Sequence, residues 1–494
     1  MACGILCRVV QYIWDRSFWV DEASLVLNIR TKTAAQLLGR LDYHQAAPPL
    51  FLLMERGIFH LFGGSEWSLR LLPLLAGCAS VVLFARLARR LLSPWPATLA
   101  LALFCFSDRL IWHPTEVKQY GTDVFVAVLL MLVAVGSRTD ERAPVRRLVC
   151  LSIVSVVAVW FSYPAVFVFA GLSLALLPSI VRRGGRSRAI FVAGNLVVLA
   201  SFAVLLLTVV HAQQSQSLAE YWVEDFLDLR HPLSAAGSLG RHLLALCNYA
   251  VEPAGVLVLP CMLAGVVWIA RQGGLGLTAA LLNPMGMNLL AAAAFRYPFD
   301  GQRLTVYLTP AVLLFAAAGA VAIHQRLRRS IGWIALAPAA AMLAAAAGPA
   351  AFHLAVPRYR AHIRPAANFV RTHLEAGDGI YALQLREFEC YWPPGDPRVR
   401  SELEDADKIP FKRFWLVWSY PSDRASRRLG PVRDWIKTFA IERRSFAYAG
   451  GCAYLYEIKA AAPPHSSPPD MSTHHKMMSY GGSTSSAGRI TVGP

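Results

Sequence analysis

Two adjacent carboxylates, Asp21-Glu22 in FWVDEASLV, stand just beyond the first apolar run of the chain. They cannot anchor a helix in lipid, so they are either solvated or held for a function. A second polar group recurs in IWHPTEVKQYGTDVF, where a helix starting after Pro114 would carry Glu116, Tyr120 and Asp123 along one face, with Lys118 pointing elsewhere. A third stretch, AAFRYPFDGQRLTVYLTP, holds Arg296 and Arg303. A guanidinium offers bidentate contacts to phosphate, and Arg303, which opens an apolar run, is the better placed of the two. Against these readings stand plain solvation or snorkelling of a charge at a span end, and anchoring of an arginine to lipid headgroups.

The elements that must position these residues are membrane spans. Of the 494 residues 55% are hydrophobic and 16% charged, and the mean hydropathy is +0.43. Apolar runs near the length that crosses a hydrocarbon core recur along the chain, which makes it a polytopic α-helical membrane protein. Spans are expected at 1–14, 69–84, 95–112, 122–135, 148–161, 165–181, 189–210, 255–270, 275–295, 304–323 and 331–350, about eleven in all. The first is short, so either the start lies upstream or the helix tilts in a thinned bilayer, and a cleaved signal peptide is disfavoured.

The net charge of +17 would suggest nucleic acid in a soluble protein. Here the arginines fall in clusters between spans, where they set orientation, so no nucleic-acid partner is expected. Arg86, Arg89 and Arg90 follow the second span; Arg138, Arg142, Arg146 and Arg147 the fourth; Arg182, Arg183, Arg186 and Arg188 the sixth. Arg271 follows the eighth, and Arg326, Arg328 and Arg329 the tenth. Every even-numbered span thus ends in a cytoplasmic loop, and Asp21-Glu22, 112–121, 211–252, 296–303 and all that follows 350 share the outer face.

In the first outer loop, 34–41 and 49–62 are amphipathic and too polar to span, so both read as helices in the membrane interface. The second starts at Pro48-Pro49 after the extended His44-Gln45-Ala46-Ala47. After 350 the chain becomes soluble in character. A helix in ANFVRTHLEAGD, strands in DGIYALQL, RFWLVWSY and CAYLYEIK, and a helix in VRDWIKTFAIERR make a small α/β outer domain over 351–460, beside a membrane domain over 1–350. From 461 to 494 the Pro-, Ser- and Gly-rich tail, with His465, His474 and His475, is expected to be disordered. The nine cysteines show no CxxC spacing, and a disulfide between Cys390 and Cys452 is permitted but not implied.

The ordered set FWVDEA, HQAAPPLF, GGSEWSLRLLPLLAG, TEVKQYGTDVFVAVLL and RYPFDGQRLTVYLTP resembles bacterial members of the C-type glycosyltransferase superfamily. Within it the chain looks most like the group related to protein O-mannosyltransferases and dolichyl-phosphate-mannose-protein mannosyltransferases. The resemblance covers roughly 15–320 and implies an inverting enzyme of the cytoplasmic membrane. Such an enzyme passes mannose or another sugar from a polyprenyl-phosphate carrier to a protein, lipid or glycan acceptor on the outer face. It makes Asp21 the catalytic base with Glu22 its neighbour in a catalytic pair, matches Glu116, Tyr120 and Arg303 to family positions and sets Lys118 where many relatives have arginine; the candidate donor-phosphate ligands are Lys118, Arg303 and Arg296, and the candidate substrate-binding residues Glu116, Tyr120 and His44. Displacement at an anomeric carbon needs a base at the acceptor hydroxyl and cations on the departing phosphate, which these residue types supply. Relatives that transfer aminoarabinose carry an arginine three residues after the Asp, where this chain has Ser24, so that branch is disfavoured.

No cofactor is certain from these residues. A divalent metal shared by Asp21 and Glu116 is possible, as in parts of the superfamily, but two carboxylates without a His or Cys cluster are a weak signal. The alternatives are a transporter or flippase of lipid-linked glycans, which should carry charges within its spans, and a non-catalytic membrane relative.

Overall fold

The computed structural model describes residues 1–135, 144–182, 184–214, 220–419, 422–459 and 466–469. The chain divides after Tyr359 into two compact units. Of the basic-loop residues, Arg138, Arg142 and Arg183 lie outside the described residues, as does the tail beyond 460 except Ser466–Pro469.

Among its described residues the first unit has helices and no strand. Its main helices are α1 (Ala2–Ile13), α2 (Val20–Thr31), α3 (Pro49–Phe62), α4 (Leu71–Leu91), α5 (Pro94–Phe106), α6 (Tyr120–Val135), α7 (Pro144–Phe161), α8 (Ala165–Val181), α9 (Gly185–Leu205), α10 (Pro232–Ala250), α11 (Gly255–Gly273), α12 (Leu275–Ala293), α13 (Thr309–Ile331) and α14 (Ala337–Ala355). The chain is a multi-pass membrane protein. Among the described residues, five helices are long and apolar enough to cross a membrane: Leu71–Leu91, Gly185–Gln213, Gly255–Gln272, Leu275–Ala293 and Val306–Ala355. The pair Asp108–Thr115 and Tyr120–Val135, bent by 115°, makes a sixth if taken as one span. Helices α1, α5 and α8 are apolar but shorter.

Three features differ from the sequence reading. Helix α2 starts at the acidic pair, and α10 fills a stretch read as outer loop. Helix α6 starts at Tyr120 and not after Pro114, because a 3-10 turn over His113–Thr115 leads into non-helical 116–119. The Val117 N–H that a continuous helix would have used internally is donated to a side chain, described below.

The core is held by close backbone approach. A Cβ on Gly265 of α11 would stand 1.8 Å from the Phe315 carbonyl oxygen of α13, and one on Gly319 of α13 would stand 1.8 Å from the Cys261 carbonyl oxygen. Lipid offers little hydrophobic drive between helices, so such contact distances set the dispersion energy of the pair.

The second unit, from Arg360, is a five-stranded sheet in the order β2-β1-β3-β5-β4: β1 (Gly379–Ala382), β2 (Val399–Arg400), β3 (Arg413–Ser419), β4 (Ala440–Tyr448) and β5 (Gly451–Ile458). The first three strands run parallel, and β5 is antiparallel to both β3 and β4. Helices Arg364–His373 and Ser422–Phe439 accompany them. The sequence reading put AIERR in a helix; it belongs to β4, which turns into β5 through Ala449 and Gly450 at φ 48° and 92°. Cys390 and Cys452 are both free thiols. Within the tail, the Ser466 carbonyl accepts from the Ala406 N–H at 3.0 Å and the Ser467 hydroxyl contacts Asp405 at 2.7 Å.

Gly319→Val is expected to destabilise the membrane unit by about 3 kcal/mol, the upper part of the usual overpacking cost. The check is a lowered thermal unfolding midpoint of the purified protein in detergent; an unchanged midpoint would contradict the close α11–α13 packing.

Candidate functional site

Asp21 and Glu22 occupy the first turn of α2, where unpaired N–H groups and the helix dipole favour carboxylates. The two side chains have opposite fates. Glu22 is 1% exposed, whereas the Asp21 side chain is 23% exposed.

Glu22 is saturated. The Arg70 guanidinium meets it as a fork, Nε to Oε1 and Nη2 to Oε2, both at 2.8 Å. The Val117 N–H donates to Oε1 at 2.8 Å and the Trp19 N–H to Oε2 at 3.4 Å. Arg70 Nη1 also donates to the Arg16 carbonyl at 2.6 Å. One carboxylate therefore ties α2, the segment before α4 and the 113–118 loop together. Both carboxylate oxygens of Glu22 are thus engaged by protein donors.

Asp21 faces Arg303, whose Nη1 donates to Oδ2 at 2.6 Å. Arg303 Nη2 donates to the Tyr221 hydroxyl at 3.0 Å, and its guanidinium lies 5.1 Å from the Trp222 ring. The loop that presents Arg303 is organised by buried Asp300. Its Oδ1 accepts from the N–H of Gln302 at 2.9 Å, the N–H of Thr305 at 3.2 Å and the Thr305 hydroxyl at 2.9 Å, and its Oδ2 from the Leu304 N–H at 3.1 Å. Gly301 takes φ +63°, and a Cβ there would meet the His242 carbonyl oxygen at 2.4 Å, so the turn needs glycine.

Lys118, 4% exposed, donates to the Gln45 Oε1 at 2.6 Å. Gln45 is placed by two successive left-handed residues, Tyr43 at φ 61° and His44 at φ 53°. Residues in this region cost of order 1–3 kcal/mol each and persist only where the surroundings enforce them. Here Ala47 supplies that constraint. Its N–H donates to the Gln213 Oε1 at 3.0 Å, and its carbonyl accepts from Tyr163 at 2.9 Å and Gln213 at 3.2 Å. Burial pushes the Lys118 ammonium below its ordinary range, Arg303 adds to that, and Asp21, Glu116 and Glu22 pull it back up. Tyr120, buried, stands within the fields of Arg303, Asp21 and Glu116.

Glu116 is buried, with its Oε2 2.9 Å from His113 Nδ1; His113 Nε2 is 2.6 Å from the Tyr249 hydroxyl. The structure thus brings Asp21, Lys118, Arg303, Glu116 and Tyr120 into one electrostatic cluster. His44 is exposed, and Arg296 is exposed past the end of α12. Among the described residues no group of three His, Cys, Asp or Glu side chains has metal-holding geometry. Asp21 is engaged by Arg303 and Glu116 by His113, which is a poor donor set for a divalent ion.

Sequence reasoning missed Arg70, Gln45, Tyr221, His113 and Tyr249. Arg70 carried a usable signal, since it opens an apolar run just as Arg303 does.

The sequence profile of the dolichyl-phosphate-mannose-protein mannosyltransferase family matches residues 46–207. No curated protein matches the chain in sequence. In fold it is similar to ArnT from Cupriavidus metallidurans in the apo state, with TM-score 0.51 and 14% identity over 92% of this chain and 97% of that one. The same protein bound to undecaprenyl phosphate gives TM-score 0.49 at 14% identity, over 93% and 98% of the two chains. The archaeal oligosaccharyltransferase AglB from Archaeoglobus fulgidus, in complex with an inhibitory peptide and a dolichol-phosphate, gives 0.47 at 12% identity, over 93% and 74%.

Removing one partner of a buried ion pair typically costs about 3–5 kcal/mol because the other charge stays behind. Arg70→Met is therefore expected to lower the thermal unfolding midpoint sharply, and Glu22→Gln in the same chain to recover part of the loss. A double variant no more stable than Arg70→Met alone would show that the pair is not the tie described.

Proposed function

From a mannosyltransferase-like protein with the fold of C-type glycosyltransferases, we propose an inverting glycosyltransferase that moves a sugar from a polyprenyl-phosphate donor to an acceptor on the outer face of the cytoplasmic membrane. In this reading the chain crosses the membrane about eleven times, and the α/β unit from Arg360 lies on the outer side. The observation that carries the proposal is the 2.6 Å contact between Asp21 and Arg303, residues 282 apart in sequence. It puts a half-open carboxylate against a cation suited to phosphate, with buried Lys118 in the same cluster.

The chemistry follows from charge. The acceptor oxygen attacks the anomeric carbon from the face opposite the phosphate, the C–O bond to the phosphate breaks, and the acceptor proton passes to Asp21. As that bond breaks, the lipid phosphate goes from one negative charge to two. Arg303 and Lys118 are the groups to stabilise the increment, since charge-assisted bonds in a desolvated site strengthen as charge develops. Arg303 that turns toward the phosphate releases Asp21 from its counter-ion, which raises the basicity of the carboxylate when the acceptor hydroxyl must lose its proton. Glu116 and Tyr120 supply hydrogen-bonding groups for sugar hydroxyls. The family profile, whose name specifies a dolichyl-phosphate sugar, supports the donor class. Ser24, bonded to the Val20 carbonyl at 2.7 Å, stands where an arginine would argue for aminoarabinose.

Asp21→Asn is expected to reduce turnover from a defined polyprenyl-phosphate sugar by about 10²–10⁴-fold, the usual worth of a general base. Donor KM should change little. Arg303→Ala should raise donor KM and lower turnover together. Transfer unchanged in Asp21→Asn would remove Asp21 as the base, and donor translocation without transfer in the wild type would favour a flippase.

A further inference from the structure

The Glu116 carboxylate sits in a stretch with no helical frame to hold it. The 3-10 turn over His113–Thr115, with Pro114 at its centre, ends at Glu116, and residues 116–119 are irregular. Its backbone is closed locally: the Glu116 N–H donates to the His113 carbonyl at 3.3 Å, and the Lys118 N–H to the Glu116 carbonyl at 2.8 Å. The orientation of the side chain comes from elsewhere. His113 Nδ1 stands 2.9 Å from its Oε2, with the imidazole 2% exposed and therefore closed to substrate.

We infer that His113 is a positioning residue of the transfer reaction, which fixes the Glu116 carboxylate toward the sugar and ties it, through Tyr249, to α10; the inference rests on the transferase reading above. The ring has two distinct nitrogens, and each has a partner. With the proton on Nδ1, that nitrogen donates to Glu116 while Nε2 accepts from the Tyr249 hydroxyl at 2.6 Å, an arrangement that selects one neutral tautomer and one ring orientation. The edge contact with Tyr120, at 5.0 Å between centroids, blocks rotation of the imidazole from a third side. Tyr249 is itself fixed. The Arg109 guanidinium lies 5.1 Å from its ring centroid and pairs with Glu252 at 2.5 Å. A line of polar contacts thus runs from α10 through Tyr249 and His113 to the loop that also carries Lys118. Misplacement of a substrate-orienting group by about 1 Å can cost about 100-fold in rate.

Two substitutions separate the bonds. In His113→Asn the amide nitrogen falls near the place of Nδ1 and keeps the bond to Glu116; in His113→Gln the terminal amide reaches the place of Nε2 and keeps the bond to Tyr249. Full-length protein in lipid nanodiscs would be assayed with radiolabelled undecaprenyl-phosphate mannose and undecaprenyl-phosphate glucose and a membrane extract as acceptor, alongside thermal unfolding. His113→Asn is expected to stay within about 10-fold of wild-type kcat, and His113→Gln to lose about 100-fold in kcat with donor KM within about 3-fold, at similar unfolding midpoints. Equal kcat losses in the two variants, or losses that track the unfolding midpoint, would overturn the inference while leaving the transferase reading intact. Silence of the wild type with both donors would overturn that reading and the inference with it.

Discussion

The forked ion pair between Arg70 and Glu22 is the contact on which the site depends. Both side chains are almost wholly buried, and the bonds they make beyond the pair reach two further stretches: Arg16, Ser17 and Trp19 before and at the start of α2, and Val117 in the loop that bears Lys118. A buried pair of this kind brings little net stability, because desolvation offsets attraction, but it is intolerant of misplacement. Its use here is specificity of arrangement. Once Glu22 is fixed, its neighbour Asp21 has only one place to be, at the open side of the same helical turn.

The same logic recurs at each irregular segment that meets there. Residues 43–47 are held by Tyr163 and Gln213 on Ala47, residues 113–118 by Glu22 on Val117, and residues 300–305 by Asp300 on its own following amides. Non-helical backbone near lipid is tolerated only where its polar groups are satisfied by protein. Each loop meets that condition with a buried acceptor at its base and presents one cation or amide at its tip. Structural polarity and functional polarity are thus assigned to different residues of one loop, which allows Asp21 and Arg303 to stay partly open while their supports are sealed.

What could be read in the sequence follows from this division. The helical membrane character, the helix at 49–62 and the apolar runs behind most of the helices came from periodicity and composition, which are local. The start of α2 at Asp21-Glu22 was equally local, since acids in a first turn before an apolar run mark a helix N-terminus, and the reading passed over it. The junction at 113–120 failed for a physical reason. A helix from Pro114 is the local preference, and a carboxylate 95 residues upstream overrides it by taking the Val117 N–H. β4 failed similarly: AIERR is a passable end to a helix until pairing with β5 claims it. His113, Gln45 and Tyr249 carry no pattern, since their roles exist only through partners distant in sequence.

Those distances bear on when the site exists. The contacts that define it join residues 48, 73, 95, 136 and 282 positions apart. Contacts of such separation pay their loop-closure entropy before they return any energy, so they form late and together, after local helices and their nearest neighbours. Asp21 and Arg303 come from opposite ends of the first unit's sequence, and neither α2 nor the 300–305 loop makes their contact alone. The arrangement around Asp21 is therefore a property of the closed bundle, and its precision derives from the Arg70–Glu22 fork, which cannot be made until the segments it joins have already met.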